Sequence, residues 1–322
     1  MNTFSTDYIS PNAWVYRNGF GLITPLMVWF VMAFILFQIV GGLVGFGVYL
    51  AFESVDLSDP MALMNGINEQ PIYLLTGNTV GQFVVIGFLS WLVSGIFSNG
   101  QSRFGFVRLN NRPIQDWLPF TLVSLVLLFT AYPFLMSVQY VNAFMPQPDF
   151  MLEMEKASIQ ILEKFFMGDT PSWVIFLHVA ITPAICEEIM FRGLMLRVFD
   201  KKMGTTAAII VSGLLFGFYH VRLTQVLVLS IIGMLLAWIT IKSDSLWPAI
   251  ILHAANNGLL SLAPRLFPEF TAKHLDTEVV SLPPIWLLAL SLVAALSMAY
   301  ILWRKPRLNP LSPPTPEHVP GS

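Results

Sequence analysis

Windows of about 20 mostly apolar residues recur along this chain, and that length is what a hydrocarbon core of about 30 Å demands of a helix. They lie near 20–51, 71–97, 117–145, 173–198, 204–221, 226–242, 246–265 and 284–303. In lipid each segment must satisfy its own backbone hydrogen bonds, so such windows read as helices. The expected fold is all-α: a polytopic membrane protein of about eight transmembrane helices around an intramembrane polar cavity. The first window is long enough to tilt or to break near Gly41-Gly42, and the fourth and seventh carry polar residues. Composition agrees with a membrane protein. Of 322 residues, 55% are hydrophobic and 11% charged, against about 25% charged in a soluble domain.

Charge and cysteine use narrow the function classes. A net charge of −2 excludes a nucleic-acid partner, which needs a basic excess on one face. Cys186 is the single cysteine, so neither a disulfide framework nor a cysteine-based zinc site can form. Within an apolar run it reads as a small filler rather than a thiol nucleophile. Residues 1–19 form a polar segment without a basic n-region, so the window that follows is expected to be a retained span rather than a cleaved signal.

Orientation follows from Lys and Arg. With eight spans both termini share a side. That side collects Arg17, Arg103, Arg108, Arg112, Arg197, Lys201, Lys202, Lys242, Arg304, Lys305 and Arg307, which is 11 residues. The other has Lys156, Lys164, Arg222, Arg265 and Lys273, which is 5, and Arg192 falls within a span. The expectation is an integral, multi-pass protein with both termini cytoplasmic, in the inner membrane if the host is bacterial. Residues 20–303 read as one membrane domain. Within it, residues 151–166 place Leu152, Ile159, Leu162 and Phe166 on one stripe, which suits an amphipathic helix at the interface. Residues 304–322 are Pro-rich and polar and are expected to be disordered.

Ionisable groups within spans are costly and mark function by default. Here they group as Glu187, Glu188 and Arg192 on the fourth span, His220 on the fifth, and His253 with Asn256 and Asn257 on the seventh. Glu188 and Arg192 are i and i+4, as are His253 and Asn257, and residues so spaced share a helix face. Glu187 is turned about 100° from Glu188, so Arg192 can neutralise Glu188 while Glu187 faces a cavity. Glu187 lies 16 residues before Met203 and His220 lies 17 after it. A helical hairpin turning near Gly204 sets both about 24–26 Å from the turn, at one level. Gly213 and Gly217 share a face with His220 and permit close helix approach, which in that hairpin is expected to be toward the fourth span. Pro183, four residues before Glu187, removes a helix hydrogen bond and is expected to bend the span. His178 reads as a packing histidine and Asn256 as an interhelical bridge.

A carboxylate, two imidazoles and an amide in a low-dielectric pocket suit hydrolysis of an acyl bond. Glu187 can take a proton from water, with His220 orienting that water or passing the proton to the leaving amine. His253 and Asn257 can donate to the developing oxyanion. Alternatively, Glu187, His220 and His253 match the ligand set of a hydrolytic zinc centre. No HExxH, GxSxG or GxGD motif is present, so zincin-type, rhomboid-type and presenilin-type sites have no support.

The stretches "EEIMFR", "FGFYH" and "HAANN" contain EExxxR, Phe216-xxx-His220 and His253-xxx-Asn257, in that order. Together they resemble the three motifs of the CPBP family (CAAX-protease and bacteriocin-processing, also called Abi), to which type II CAAX prenyl endopeptidases belong. The resemblance covers about 173–260. It implies an eight-helix intramembrane endopeptidase in which Glu187 and His220 activate water, His253 and Asn257 form the oxyanion site, and Glu188 and Arg192 support them. The family has been described both as metalloprotease and as glutamate-dependent, so the resemblance implies either zinc or no metal. The implied partner is a peptide or protein, prenylated or otherwise membrane-associated. Rival readings are a non-catalytic member of the fold, such as an immunity or scaffold protein that binds a partner, and a proton-coupled transporter. The absence of paired Gly/Pro-broken helices in two halves speaks against the transporter.

Overall fold

A computed structural model of the chain describes residue 9 and residues 12–53, 58–98, 102–144, 146, 148–266 and 282–309. Among the described residues there are helices and no strands. The principal helices are α1 (Ile23–Phe52), α2 (Pro71–Ser98), α3 (Ile114–Ala143), α4 (Asp149–Met167), α5 (Ser172–Met203), α6 (Thr205–Tyr219), α7 (Val226–Ser243), α8 (Trp247–Leu266) and α9 (Ile285–Arg304). The molecule is a polytopic all-α membrane protein.

Among the described residues each of the eight apolar windows is largely helical, but six helices are long and apolar enough to cross a membrane: α1, α2, α3, α5, α7 and α9. The other two differ for physical reasons. Helix α6 has 15 residues, about 22 Å of rise, and α8 has the length but breaks its apolar run with His253, Asn256 and Asn257. Helix α1 runs unbroken through Gly41 and Gly42.

Helix α5 is the axis. Every residue from Cys186 to Phe199 is buried, the charged Glu187, Glu188, Arg192 and Arg197 included. Helices α1 and α9 keep much of their apolar surface outward, including Leu43, Ile285 and Val293. Helices α1 and α2 meet at glycines. A Cβ at Gly77 would lie 2.1 Å from the Gly41 carbonyl oxygen and 2.5 Å from Gly45 N, so the two backbones touch as small-xxx-small pairs allow.

The Gly213/Gly217 face does not meet α5. It lies on α7, where a Cβ at Gly217 would stand 2.3 Å from Ser230 Oγ and 2.6 Å from the Val226 carbonyl oxygen. Helix α7 offers small residues there, Ser230 and Gly233. The α5–α6 contact is made by large rings instead, with Phe191 edge-on to Phe216 and Tyr219. The α5–α6 turn is closed by Gly204 at φ 82° and by a Thr205 Oγ1 bond to Asp200 Oδ1 of 2.6 Å.

The chain ends outside the spans are partly docked. Ile9, Ala13 and Val15 are buried, so the 1–19 segment is not uniformly polar surface. Residues 304–309, expected to open a disordered tail, are held: Leu308 N donates to the Lys242 carbonyl at 2.9 Å and Arg307 approaches Asp200 at 3.7 Å. Residues 310–322 lie outside the described residues. The amphipathic segment is a helix slightly longer than expected, and Arg265 holds its end through the Gly168 carbonyl at 2.6 Å.

Candidate active site

Pro183 shapes the site. It has no N–H, so the carbonyl four residues back, that of Val179, loses its α-helical donor. Helix α5 widens to π geometry over Phe176–Ile181 and again over Ile189–Met195, a feature frequent at functional sites. The freed Val179 carbonyl accepts from Asn257 Nδ2 at 3.2 Å. A proline on α5 thus fixes an amide on α8.

From that amide a directed chain of hydrogen bonds runs both ways. Tyr132 OH donates to Asn256 Oδ1 (2.6 Å), Asn256 Nδ2 to Asn257 Oδ1 (3.1 Å), and Asn257 Nδ2 to His253 Nε2 (3.2 Å). His253 Nδ1 lies 2.9 Å from Glu188 Oε1, which also receives Arg192 Nη1 at 2.9 Å. An ionised carboxylate only accepts, so His253 carries its hydrogen on Nδ1. Its Nε2 is then a lone pair, as the Asn257 donor requires. A neutral His253 therefore has no hydrogen left on Nε2 to give to a substrate. Glu188 and Arg192 are wholly inaccessible, and Arg192 Nη2 continues to the Gly233 carbonyl at 3.0 Å.

Glu187 stands apart from this chain. Its Oε2 is buried without a protein hydrogen-bond partner and lies 3.8 Å from His220 Nε2. His220 Nδ1 donates to the Phe216 carbonyl at 2.8 Å, so in the neutral ring Nε2 is an acceptor. Two acceptors face each other, an arrangement that one water can join by donating to both. The other Glu187 oxygen receives Gln82 Nε2 of α2 at 3.5 Å. Phe216 separates the two groups: its ring centroid lies 4.8 Å from that of His220 and 5.7 Å from that of His253, with the Arg192 guanidinium 4.3 Å above it.

Zinc would need a third ligand beside Glu187 and His220: in this arrangement His253 gives Nδ1–H to Glu188 and its Nε2 receives Asn257. Among the described residues no three His, Cys, Asp or Glu side chains gather as metal ligands.

Residues 169–259 match the family model for type II CAAX prenyl endopeptidase Rce1-like proteins. The match covers a little over a quarter of the chain, and it is this segment that is similar to a CAAX-protease domain. No curated protein and no solved structure matches the chain.

Three side chains around this site lie outside the matched segment and outside the sequence reading. Tyr132 and Gln82 are ordinary polar residues in apolar windows, and only their distances show what they serve. Glu155 sits on the amphipathic helix α4, buried, and receives Arg222 Nε at 3.1 Å and the Thr224 hydroxyl. Those two residues flank the turn after His220, where Val221 adopts φ 53°, a conformation rare for a β-branched residue. Glu155 is three residues after Leu152 and four before Ile159, so it falls on the apolar stripe of that helix, and that position was the available signal. Cys186 is buried and packs against α2, where a Cβ at Gly87 would lie 3.2 Å from its Sγ. His178 bonds Thr79 at 2.5 Å, a helix-to-helix contact.

Proposed function

We propose that the domain hydrolyses a peptide bond with a water activated by Glu187 and His220 and without a metal. The observation that carries this is the pair of facing acceptors, Glu187 Oε2 and His220 Nε2, 3.8 Å apart. A water donating to both presents a lone pair to a substrate carbonyl. As its oxygen bonds to the carbonyl carbon, Glu187 takes the proton and the carbonyl oxygen becomes an oxyanion. The proton then passes, directly or through His220, to the amide nitrogen as the C–N bond breaks, leaving a carboxylic acid and an amine.

His253 and Asn257 belong to the oxyanion side. Asn257 supplies the donor: its N–H to His253 Nε2 turns to the oxyanion, a charged and stronger acceptor. His253, Glu188 and Arg192 are positioning residues that hold Asn257 through the chain described above. One such donor contributes about 3–4 kcal/mol to transition-state stabilisation.

The substrate is a peptide held at the membrane by a prenyl group, as the family description implies, or by its own apolar residues. Positive-inside bias assigns both termini to the cytoplasmic side. The test is cleavage of a peptide library by purified protein in detergent, with Glu187→Gln and with exhaustive chelation. Loss in Glu187→Gln with activity kept after chelation is expected. Loss on chelation with recovery on adding zinc would overturn the metal-free mechanism, and no difference between Glu187→Gln and wild type would overturn the role of Glu187.

A further inference from the structure

Gln82 lies on α2, well upstream of the matched segment, and is buried in an apolar helix at the start of a widened stretch, Gln82–Leu89. A buried carboxamide is unfavourable unless its polar atoms are satisfied. Half of it is: Nε2 donates to Glu187 Oε1 at 3.5 Å. Because the carboxylate only accepts, this bond fixes which end of the amide faces Glu187. The other end, Oε1, is then an acceptor, buried and without a hydrogen-bond partner in the protein. The bond places the Gln82 carboxamide beside the Glu187 carboxylate.

A hydrolytic site brings two kinds of donor to such an atom, water and the substrate's peptide N–H. The attacking water has two hydrogens, and Glu187 Oε2 and His220 Nε2 use both. The peptide N–H remains. Neighbouring residues are about 3.8 Å apart, the scale of the 3.5 Å contact between Gln82 and Glu187, so a strand whose carbonyl is at the water brings a neighbouring N–H to the same region.

We propose that Gln82 is a substrate-contacting residue whose Oε1 accepts a backbone N–H beside the scissile bond. This rests on the peptidase reading above and adds a substrate class to it. In a helix the N–H groups are committed to carbonyls four residues back, so a segment that satisfies Gln82 is unwound and extended. The site selects an extended or locally unfolded stretch and rejects an intact transmembrane helix.

The test pairs a protein change with a substrate change. Peptides carrying a single backbone ester in place of an amide at each position flanking the scissile bond lose one N–H without added bulk. They are compared with the parent peptide on wild type and on Gln82→Met. For the parent peptide, Gln82→Met should lower kcat/KM about tenfold or more, the effect of leaving one buried hydrogen bond unmade. At one ester position wild type should lose a similar factor, and the variant should lose little further, because the partner is already gone. Equal ester penalties in both proteins at every position would refute the contact while leaving the peptidase reading intact. No cleavage of any peptide by wild type would instead refute the reading on which the contact rests. Should Gln82→Met fail to fold, Gln82→Asn, which withdraws the amide by one methylene, carries the same comparison.

Discussion

Replacing Arg192 with methionine separates a merely structural ion pair from one that serves the site. Both partners are inaccessible, and Glu188 Oε1 receives Arg192 Nη1 and His253 Nδ1, each at 2.9 Å. Without the guanidinium a buried carboxylate keeps one neutral donor, and breaking one side of a buried pair costs about 3–5 kcal/mol. The Gly233 carbonyl also loses its donor at 3.0 Å, for about 1 kcal/mol more. At about 1.4 kcal/mol per factor of ten, the folding equilibrium should shift more than a hundredfold, read by denaturant unfolding in detergent. Adding Glu188→Gln removes the stranded charge, so most of the stability should return. Activity should not return with it. A carboxamide can turn either its oxygen or its NH₂ toward His253, so the tautomer that orders Asn257 is no longer fixed, and cleavage should stay at least about tenfold below wild type. A single variant that loses under about 1 kcal/mol, or a double variant with full activity, would refute this account of the pair.

Other perturbations follow from the contacts. Gly77→Ala drives a methyl into the Gly41 carbonyl and should cost about 1–3 kcal/mol as α1 and α2 part; Gly42→Ala, with nothing within 4 Å of its Cβ, is the matched control and should be neutral by the same unfolding assay. Glu155→Gln should leave stability within about 1 kcal/mol, because Arg222 is partly exposed and such pairs contribute little, yet lower kcat by loosening the turn after His220; an unchanged kcat sinks that link. Pro183→Ala restores an N–H to the Val179 carbonyl and improves helix propensity by up to about 3 kcal/mol. Stability should hold or rise while activity falls, because Asn257 loses its acceptor, and equal activity would show that the Val179 contact does not position it.

What could be read from sequence divides along physical lines. Apolar windows mark helices because lipid leaves the backbone no alternative, and the rare ionisable residues announce themselves by their cost. Spacing put Glu188 beside Arg192 and His253 beside Asn257, since i and i+4 neighbours are fixed by helix geometry alone. Contacts between helices were less legible. Gly213 and Gly217 declare a close approach without naming the partner, and α7 proved to be that partner. The Gly41/Gly45 and Gly77/Gly81 pairs carry the same signal, but in sequence Gly41-Gly42 reads as readily as a place for the helix to break. Tyr132 and Gln82 give no signal at all, because one polar residue in an apolar window is common and its meaning lies in what stands opposite.

Helix α6 is short, and the connection it leaves is held by protein. Helix α5, with 32 residues, rises about 48 Å, more than the about 30 Å of a hydrocarbon core, and Asp200, Lys201 and Lys202 lie near its end. Helix α6 runs back from that end for about 22 Å, less than a full crossing, and an irregular connection joins His220 to α7. Irregular backbone is tolerated within a membrane only where protein satisfies it. Asn142 does so from α3, donating to the Leu223 carbonyl at 2.6 Å and accepting from Leu227 N at 3.1 Å, while Glu155 on α4 holds the side chains of Arg222 and Thr224 on the same connection. Helix α3 and the amphipathic helix α4 thus converge on the connection that follows His220.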